Sequence, residues 1–299
     1  MKIQTALVSL VFLVTTAFGQ EARVEIWGGI EWERMELSAT VALDLASAGV
    51  RMPTGRSQAE EIIKVEYPSL IRPWILSIPI DSSTTLEDLI NRGEFSFQGP
   101  ELIAGGARRI PPALSTDLAS LSSTYTIDLT AIGFQITRHS RPAEPRVPLI
   151  PAPAASYTGI IIIADGELPI HGRNSPALTE PCLFPKIWDT DMNLIYERNV
   201  LDPAVLQRTT MVRYVPESSI FQRTPSGLTA ELTALVGANP LRIFARGVFG
   251  IKPTDPIIDR EDALTILSSE DNRRLLREGK VAIVLNGQVL RSPFEGGSN

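Results

Sequence analysis

Five prolines, Pro142, Pro145, Pro148, Pro151 and Pro153, fall between His139 and Ser156, and they constrain the fold of this 299-residue chain more than any other feature. Proline fixes φ and has no amide hydrogen, so neither a helix nor a central strand passes through such a run. The composition forms an extended, semi-rigid connector instead. The chain therefore divides into an N-terminal domain over 20–139, a Pro-rich linker over 140–156, a C-terminal domain over 157–290 and a polar tail over 291–299. Each half is long enough for a core of its own. Hydrophobic residues make up 43% and charged residues 21% of the chain, a balance that suits folded domains rather than a disordered polymer.

The first residues predict export. Lys2 supplies a positive start, and Ala6 to Phe18 are apolar apart from Ser9, Thr15 and Thr16. Ala17-Phe18-Gly19 puts small residues where a signal peptidase reads, so 1–19 is expected to be a signal peptide cleaved before Gln20. The stretch is shorter than the roughly 20 apolar residues that span a bilayer. No cysteine follows it, which closes the lipoprotein route, and no later segment is long and apolar enough to cross. The expected location is periplasmic or secreted, with no stable membrane span after cleavage. Cys182 is the one cysteine, so an intrachain disulfide is impossible and the cores alone must hold the fold. The net charge of −6 disfavours nucleic acid as a partner, because phosphate binding needs a basic surface.

Periodicity assigns the elements. Met35, Leu37, Ala39, Val41, Leu43 and Leu45 alternate with polar residues, which predicts a long half-buried strand; Ile30 and Trp32 alternate in the opposite phase, and a bulge near Arg34 would reconcile the two. Ser57 with Glu60 reads as a capping box for a helix over Ala59 to Ile75 that Pro68 and Pro73 should kink or divide. Thr84-x-x-Glu87 reads as the cap of a short helix ending at Gly93. Tyr125 to Ala131 alternate as a strand that changes phase near Gly133 and continues to Ile136. Past the linker, Ile160 to Ile163 and Val281 to Leu285 are continuous aliphatic runs, as in strands buried on both faces. Lys186 to Tyr196 reads as a hairpin turning at Asp189-Thr190-Asp191. Leu241 to Val248 as a strand, Glu261 to Glu278 as a helix and Val281 to Leu285 as a strand suggest a βαβ crossover. The fold class is α/β (α+β): two small sandwich domains, each a mixed sheet with helices on one face.

Candidate chemistry is sparse. Asp189, Asp191 and Asn193 start like a calcium loop, but the required glycine and glutamate positions hold Leu194 and Val200. His139 and His171 stand alone, without metal-ligand spacing. Cys182 with His171 could form a thiol and its base, yet Cys182 lies among Pro181, Leu183 and Phe184, where cysteine acts as a small buried hydrophobe. Gly105-Gly106 before Arg108-Arg109 is a flexible charged turn, and Glu60-Glu61 and Glu261-Asp262 sit at helix starts, where the helix dipole favours them. Trp27, Trp32, Trp74 and Trp188 are assigned to packing. No catalytic, cofactor or metal residue is assigned.

Tyr157-Thr158-Gly159, the run Ile160 to Ile162, and Gly166 resemble the opening of the LPP-twenty lipoproteins, which are related to the flagellar assembly T proteins. Lys186 to Asp191 resembles that family's polar hairpin. Asp262-Ala263, Leu275-Leu276 and Val281 to Val284 resemble its closing helix and strand. The likeness covers Tyr157 to about Leu285, with Tyr157, Thr158, Gly159, Gly166, Asp189, Asp191 and Asp262 as signature residues. The family's aspartate and arginine positions hold Ile163 and Asp165 here. The resemblance implies a non-catalytic, structural or interaction component of the envelope, with other envelope or flagellar proteins, or further copies of itself, as partners. A carboxylate-dependent hydrolase of cell-wall or extracellular polymer and a small-ligand binding module are the alternative expectations.

Overall fold

A computed structural model describes residues 23–294; the expected signal peptide and the last five residues of the tail lie outside them. Strands β1 (Val24–Glu31) and β2 (Glu36–Asp44) form an antiparallel hairpin paired from Val24↔Leu43 to Glu31↔Glu36. The two phases of apolar alternation thus belong to two strands. No bulge joins them: the chain reverses at Trp32–Met35, with Met35 in the left-handed region at φ 53°, and Ile30 and Leu37 meet on the same face.

Helix α1 (Arg56–Leu76) buries Ala59, Ile63, Tyr67, Ile71, Trp74 and Ile75 in one stripe against this sheet. Pro68 and Pro73 lie inside it without dividing it. The amides they remove would have bonded the carbonyls of Lys64 and Ser69, both exposed residues. Its N-cap is Gly55, with no side-chain cap, and Glu60 pairs with Arg56 at 2.9 Å instead of capping. In α2 (Leu86–Asn91) the capping box is Thr85 with Asp88, one residue later than expected from Thr84. Helix α3 (Gly99–Gly105) leads into short strands β3 (Arg108–Arg109) and β4 (Ala113–Leu114), both paired to the long strand β5 (Ser120–Asp128). The expected strand beyond Asp128 is instead helix α4 (Leu129–Gln135): the Asp128 carboxylate accepts the Thr130 amide at 2.8 Å, and Leu129 and Ile132 are buried at helical spacing.

The second domain centres on β6 (Ile160–Ala164), every residue of which is buried. A small hairpin, β7 (Glu167–Pro169) with β8 (Pro176–Leu178), and a polar hairpin, β9 (Ile187–Asp189) with β10 (Leu194–Tyr196), follow. Helix α5 (Pro203–Leu206), strand β11 (Arg213–Pro216) and helix α6 (Ala230–Val236) lead to β12 (Leu241–Phe244). The expected strand Leu241–Val248 is two pieces, because β13 (Gly247–Phe249) turns into a different sheet with β14 (Asp255–Ile258) and the β9–β10 hairpin. Helices α7 (Arg260–Ser268) and α8 (Glu270–Arg277) break at Ser269, whose side chain caps the second. Strand β15 (Val281–Leu285) completes a parallel sheet ordered β11-β15-β6-β12. β12 and β15 are therefore not neighbours; both pair with β6.

The polar tail expected from 291 begins as a strand. β16 (Arg291–Phe294) pairs antiparallel with β1, so the first-domain sheet runs β16-β1-β2-β5-β3. Residues 140–156 carry no regular structure but are pinned: the Ala143 amide reaches the Asn199 carbonyl at 2.7 Å, and the Ala152 amide reaches Ser268 Oγ at 2.9 Å. The architecture is that of a two-domain α+β protein, and one hydrophobic core runs through both domains. The Leu183 and Phe184 amides bond to the carbonyls of Pro79 and Ile80 at 3.0 and 2.8 Å across the boundary. A smaller core, Ile161, Ile163, Val215, Leu232 and Val284 among others, sits under α6. Among the described residues no helix is long and apolar enough to cross a membrane.

Candidate functional site

Alternation puts the even face of β2 and the odd face of β1 on the uncovered side of the first sheet, so the charged end of the hairpin is presented to solvent. It faces β11 and α6 of the second domain across an open cleft of about 810 Å³. Glu31, Glu33, Arg34, Glu36 and Arg108 line the first-domain wall; Arg213, Tyr214 and Glu231 line the other; Arg291, at the start of β16, stands where the chain crosses between sheets. A smaller recess of about 370 Å³ shares Arg34, Glu36 and Arg108 and adds Asp128.

Three carboxylates form a row. Glu31 pairs with Glu36 across β1–β2, and Glu36 with Asp128 across β2–β5. Like charges opposite one another are unfavourable, and arginines relieve them: Arg34 lies 3.7 Å from Glu31 and Arg108 lies 3.7 Å from Glu36. Arg213, Arg291, Glu33 and Glu231 make no ion pair among the described residues. The cleft is thus charged, nearly balanced in sign, and open to a ligand that offers charges of both kinds.

The strongly perturbed groups are buried behind or away from these charges. Cys182 is completely buried, and burial, with Asp255 nearby, pushes its thiol far above the ordinary range. Tyr214 is buried at the back of the cleft. Its hydroxyl donates to the Cys182 carbonyl at 2.9 Å and accepts the Cys182 amide at 3.1 Å, and burial raises it strongly. Asp255 has no exposed surface; burial pushes its carboxyl up, while the Lys186 amide at 3.1 Å, Thr254 Oγ1 at 2.9 Å and Trp188 Nε1 at 3.4 Å donate to it. Of these three, Tyr214 alone borders a described cavity, and its hydroxyl is spent on the Cys182 backbone; Cys182 and Asp255 line none.

The residues singled out in the sequence do not converge. His171 is exposed and packs on Phe249 at 6.0 Å, whereas Cys182 is buried; His139 holds the Leu201 carbonyl through Nε2 at 2.8 Å. Asp189 is consumed by its own turn, accepting the amides of Asp191 at 3.0 Å and Asn193 at 2.7 Å, and Asp191 pairs with Arg260 at 3.1 Å. Among the described residues no cluster of three metal-binding side chains occurs. Asp262 lies in the first turn of α7, its carboxyl raised by partial burial and by Asp259.

The signature opening has a packing explanation. Thr158 Oγ1 donates to the Val236 carbonyl at 2.7 Å and accepts the Asn239 amide at 3.0 Å. A Cβ on Gly159 would stand 2.5 Å from Val236 Cα, whereas one on Gly166 would meet nothing within 4 Å. The Tyr157 amide donates to Asn272 Oδ1 at 3.1 Å, fixing the end of the linker. The cleft residues gave no such motif, since they come from five separate segments. A denser sign was present in Glu31-Trp32-Glu33-Arg34-Met35-Glu36, where charge peaks between two apolar alternations and so marks a hairpin tip.

Both domains resemble known families. Residues 23–135 match the family described as Treponema pallidum Tp0624, N-terminal domain, and residues 159–287 match the family described as Treponema pallidum Tp0624, second domain. The chain is thus similar to Tp0624 in both of its domains, and those families carry neither the LPP-twenty nor the flagellar assembly T name. No curated protein matches the chain.

Proposed function

We propose that the chain is a non-catalytic, exported component of the cell envelope that acts by docking, and that the interdomain cleft receives a polar segment of its partner. One observation carries this reading. The cleft gathers solvent-exposed charges with unpaired members on both walls, while Cys182 and Asp255 are sealed in the core and the Tyr214 hydroxyl, behind the cleft, is spent on the Cys182 backbone. Active sites bring perturbed groups into a cleft; recognition needs only complementary charge and shape. The volume lies in the range of about 300–1,000 Å³ typical of ligand sites, but the lining is charged, which favours a polar partner over an apolar small molecule. The leader over 1–19 supports export, and the LPP-twenty and flagellar likeness of Tyr157 to Leu285 suggests an assembly such as the flagellum as the destination.

The test is fractionation and co-sedimentation from the native cell. The intact chain is expected to sediment with envelope material and an Arg213→Glu/Arg291→Glu variant to lose that association at least tenfold. A chain that stays free as a monomer, or that hydrolyses cell-wall polymer unaided, overturns the reading.

One observation favours a hydrolase as the second reading. Glu31 and Glu36 are directly opposed in the cleft, and cross-strand Cβ atoms lie about 5 Å apart, which lets the two carboxylates reach the spacing of retaining glycosidases. Release of soluble sugars by the purified chain, abolished in Glu31→Gln and Glu36→Gln, would establish it; no release rejects it.

A further inference from the structure

Prolines 142, 145, 148 and 151 recur at every third position of the linker. A polyproline II helix repeats about every three residues, so Pro142, Pro145 and Pro148 share one ridge; Pro151, past the bend at Leu149 and Ile150, is exposed. Burial follows the same period: Pro145 is buried and Pro142 and Pro148 are half-buried against the protein, while Arg146, Val147, Leu149 and Ile150 on the other two ridges are exposed. Exposure reaches 62% at Val147, 102% at Leu149 and 86% at Ile150, where the chain bends. Three adjacent aliphatic side chains held out in this way differ from the single exposed apolar residues that any surface carries.

The segment is also fixed at both ends. Glu144 accepts two bonds from Arg277 Nη1 at 3.0 and 2.9 Å, and the Ala152 amide bonds Ser268 Oγ. Binding such a preformed element costs little further ordering entropy. We infer that residues 146–150 are a docking ridge, independent of the interdomain cleft, which enters an apolar groove with an acidic rim on a partner protein.

Charge selects this occupant. Arg146 stands beside the aliphatic tip and makes no ion pair among the described residues, so a carboxylate on the groove's rim complements it. An anionic bilayer is opposed by the chain's net charge of −6, and three aliphatic side chains offer less apolar reach than one acyl chain, which by itself holds a membrane only marginally. A second copy is disfavoured because its apolar recess of about 510 Å³, between Leu45, Val50 and Leu118, sets Arg51 beside Asp44, whose carboxylate already takes the Ser47 amide at 2.9 Å, so it offers Arg146 no net negative rim.

A photo-crosslinking phenylalanine analogue placed at Leu149 of the full chain in cells, with one at exposed Leu118 as the control, tests the ridge. The expected result is an adduct with one protein at position 149 and none at 118. With that protein purified, Leu149→Asp and Arg146→Glu should each weaken binding at least tenfold without changing the melting temperature, whereas Leu118→Asp at the control position should leave it unchanged. Unaltered affinity in the ridge variants, or equal adducts at the two positions, overturns the inference. So does binding to phosphatidylglycerol/phosphatidylethanolamine vesicles, or a dimer in sedimentation, that Leu149→Asp abolishes; these outcomes assign the ridge to lipid or to a second copy.

Discussion

The Trp32 indole from the first-domain hairpin meets the Tyr214 ring of β11 edge-on, with centroids 6.1 Å apart and planes at 83°. Trp32 is 1% exposed, and its Nε1 donates to Ser292 Oγ at 3.0 Å, so one side chain ties together the hairpin turn, the last strand and the second domain. Trp32→Ala should cost about 3–5 kcal/mol, the range for a large aromatic removed from a core. Calorimetry should show the wild type unfolding in one transition and the variant in two, as the domains lose their coupling. A variant with unchanged cooperativity would mean that the shared core does not depend on this contact.

The two signature glycines should behave in opposite ways. At Gly159 a methyl group would collide with the Val236 backbone, which cannot move without displacing α6 from β6. Gly159→Ala should therefore cost about 1–3 kcal/mol or more, as overpacking does. Gly166→Ala meets open space and should stay within about 0.5 kcal/mol of the wild type. Denaturant titration of both variants checks the pair.

Asp255 makes stability depend on pH in a defined direction. Its folded carboxyl titrates above the ordinary 3.8, chiefly because it is buried, so the folded state binds its proton more readily than the unfolded chain does. The burden of the buried charge is complete above the folded value, fades as pH falls through it towards 3.8, and is absent below. The stability of the wild type relative to Asp255→Asn should therefore rise as pH falls through that window. Parallel melting curves measure this; a difference independent of pH would show that the three donors around the carboxylate offset its burial.

Asn272 is the clamp on the end of the linker. It is 1% exposed, its side-chain amide donates to the carbonyls of Ala155 and Thr265 at 3.0 Å each, and its Oδ1 takes the Tyr157 amide. Asn272→Ala leaves those groups unpaired at a cost of about 1–3 kcal/mol. Limited proteolysis should then cut within 140–156 markedly faster than in the wild type, with the two domains otherwise resistant.

What was readable from sequence depended on where neighbours lie along the chain. Ile160 to Ile163 and Val281 to Leu285 announced central strands because burial on both faces demands unbroken aliphatic residues. The Met35–Leu45 alternation announced β2, since one wet face leaves a period of two. Failures came where one residue changed the geometry. Asp128 caps a helix where the apolar pattern continued as if in a strand, and Arg246, between β12 and β13, carries the chain into another sheet. The cleft was hidden for a different reason: Glu36, Arg108, Arg213 and Arg291 meet only through tertiary folding, and charge on a surface leaves no period.

The pairing of Arg291–Phe294 with Gly28–Glu31 has a temporal consequence. Synthesis runs from the amino end, so the first sheet must wait for the last segment before its outer strand is covered. Until residues 291–294 have emerged, β1 offers a bare edge to whatever is near, and the first sheet stays open on that side. A premature stop anywhere in the second half would damage the first half as well.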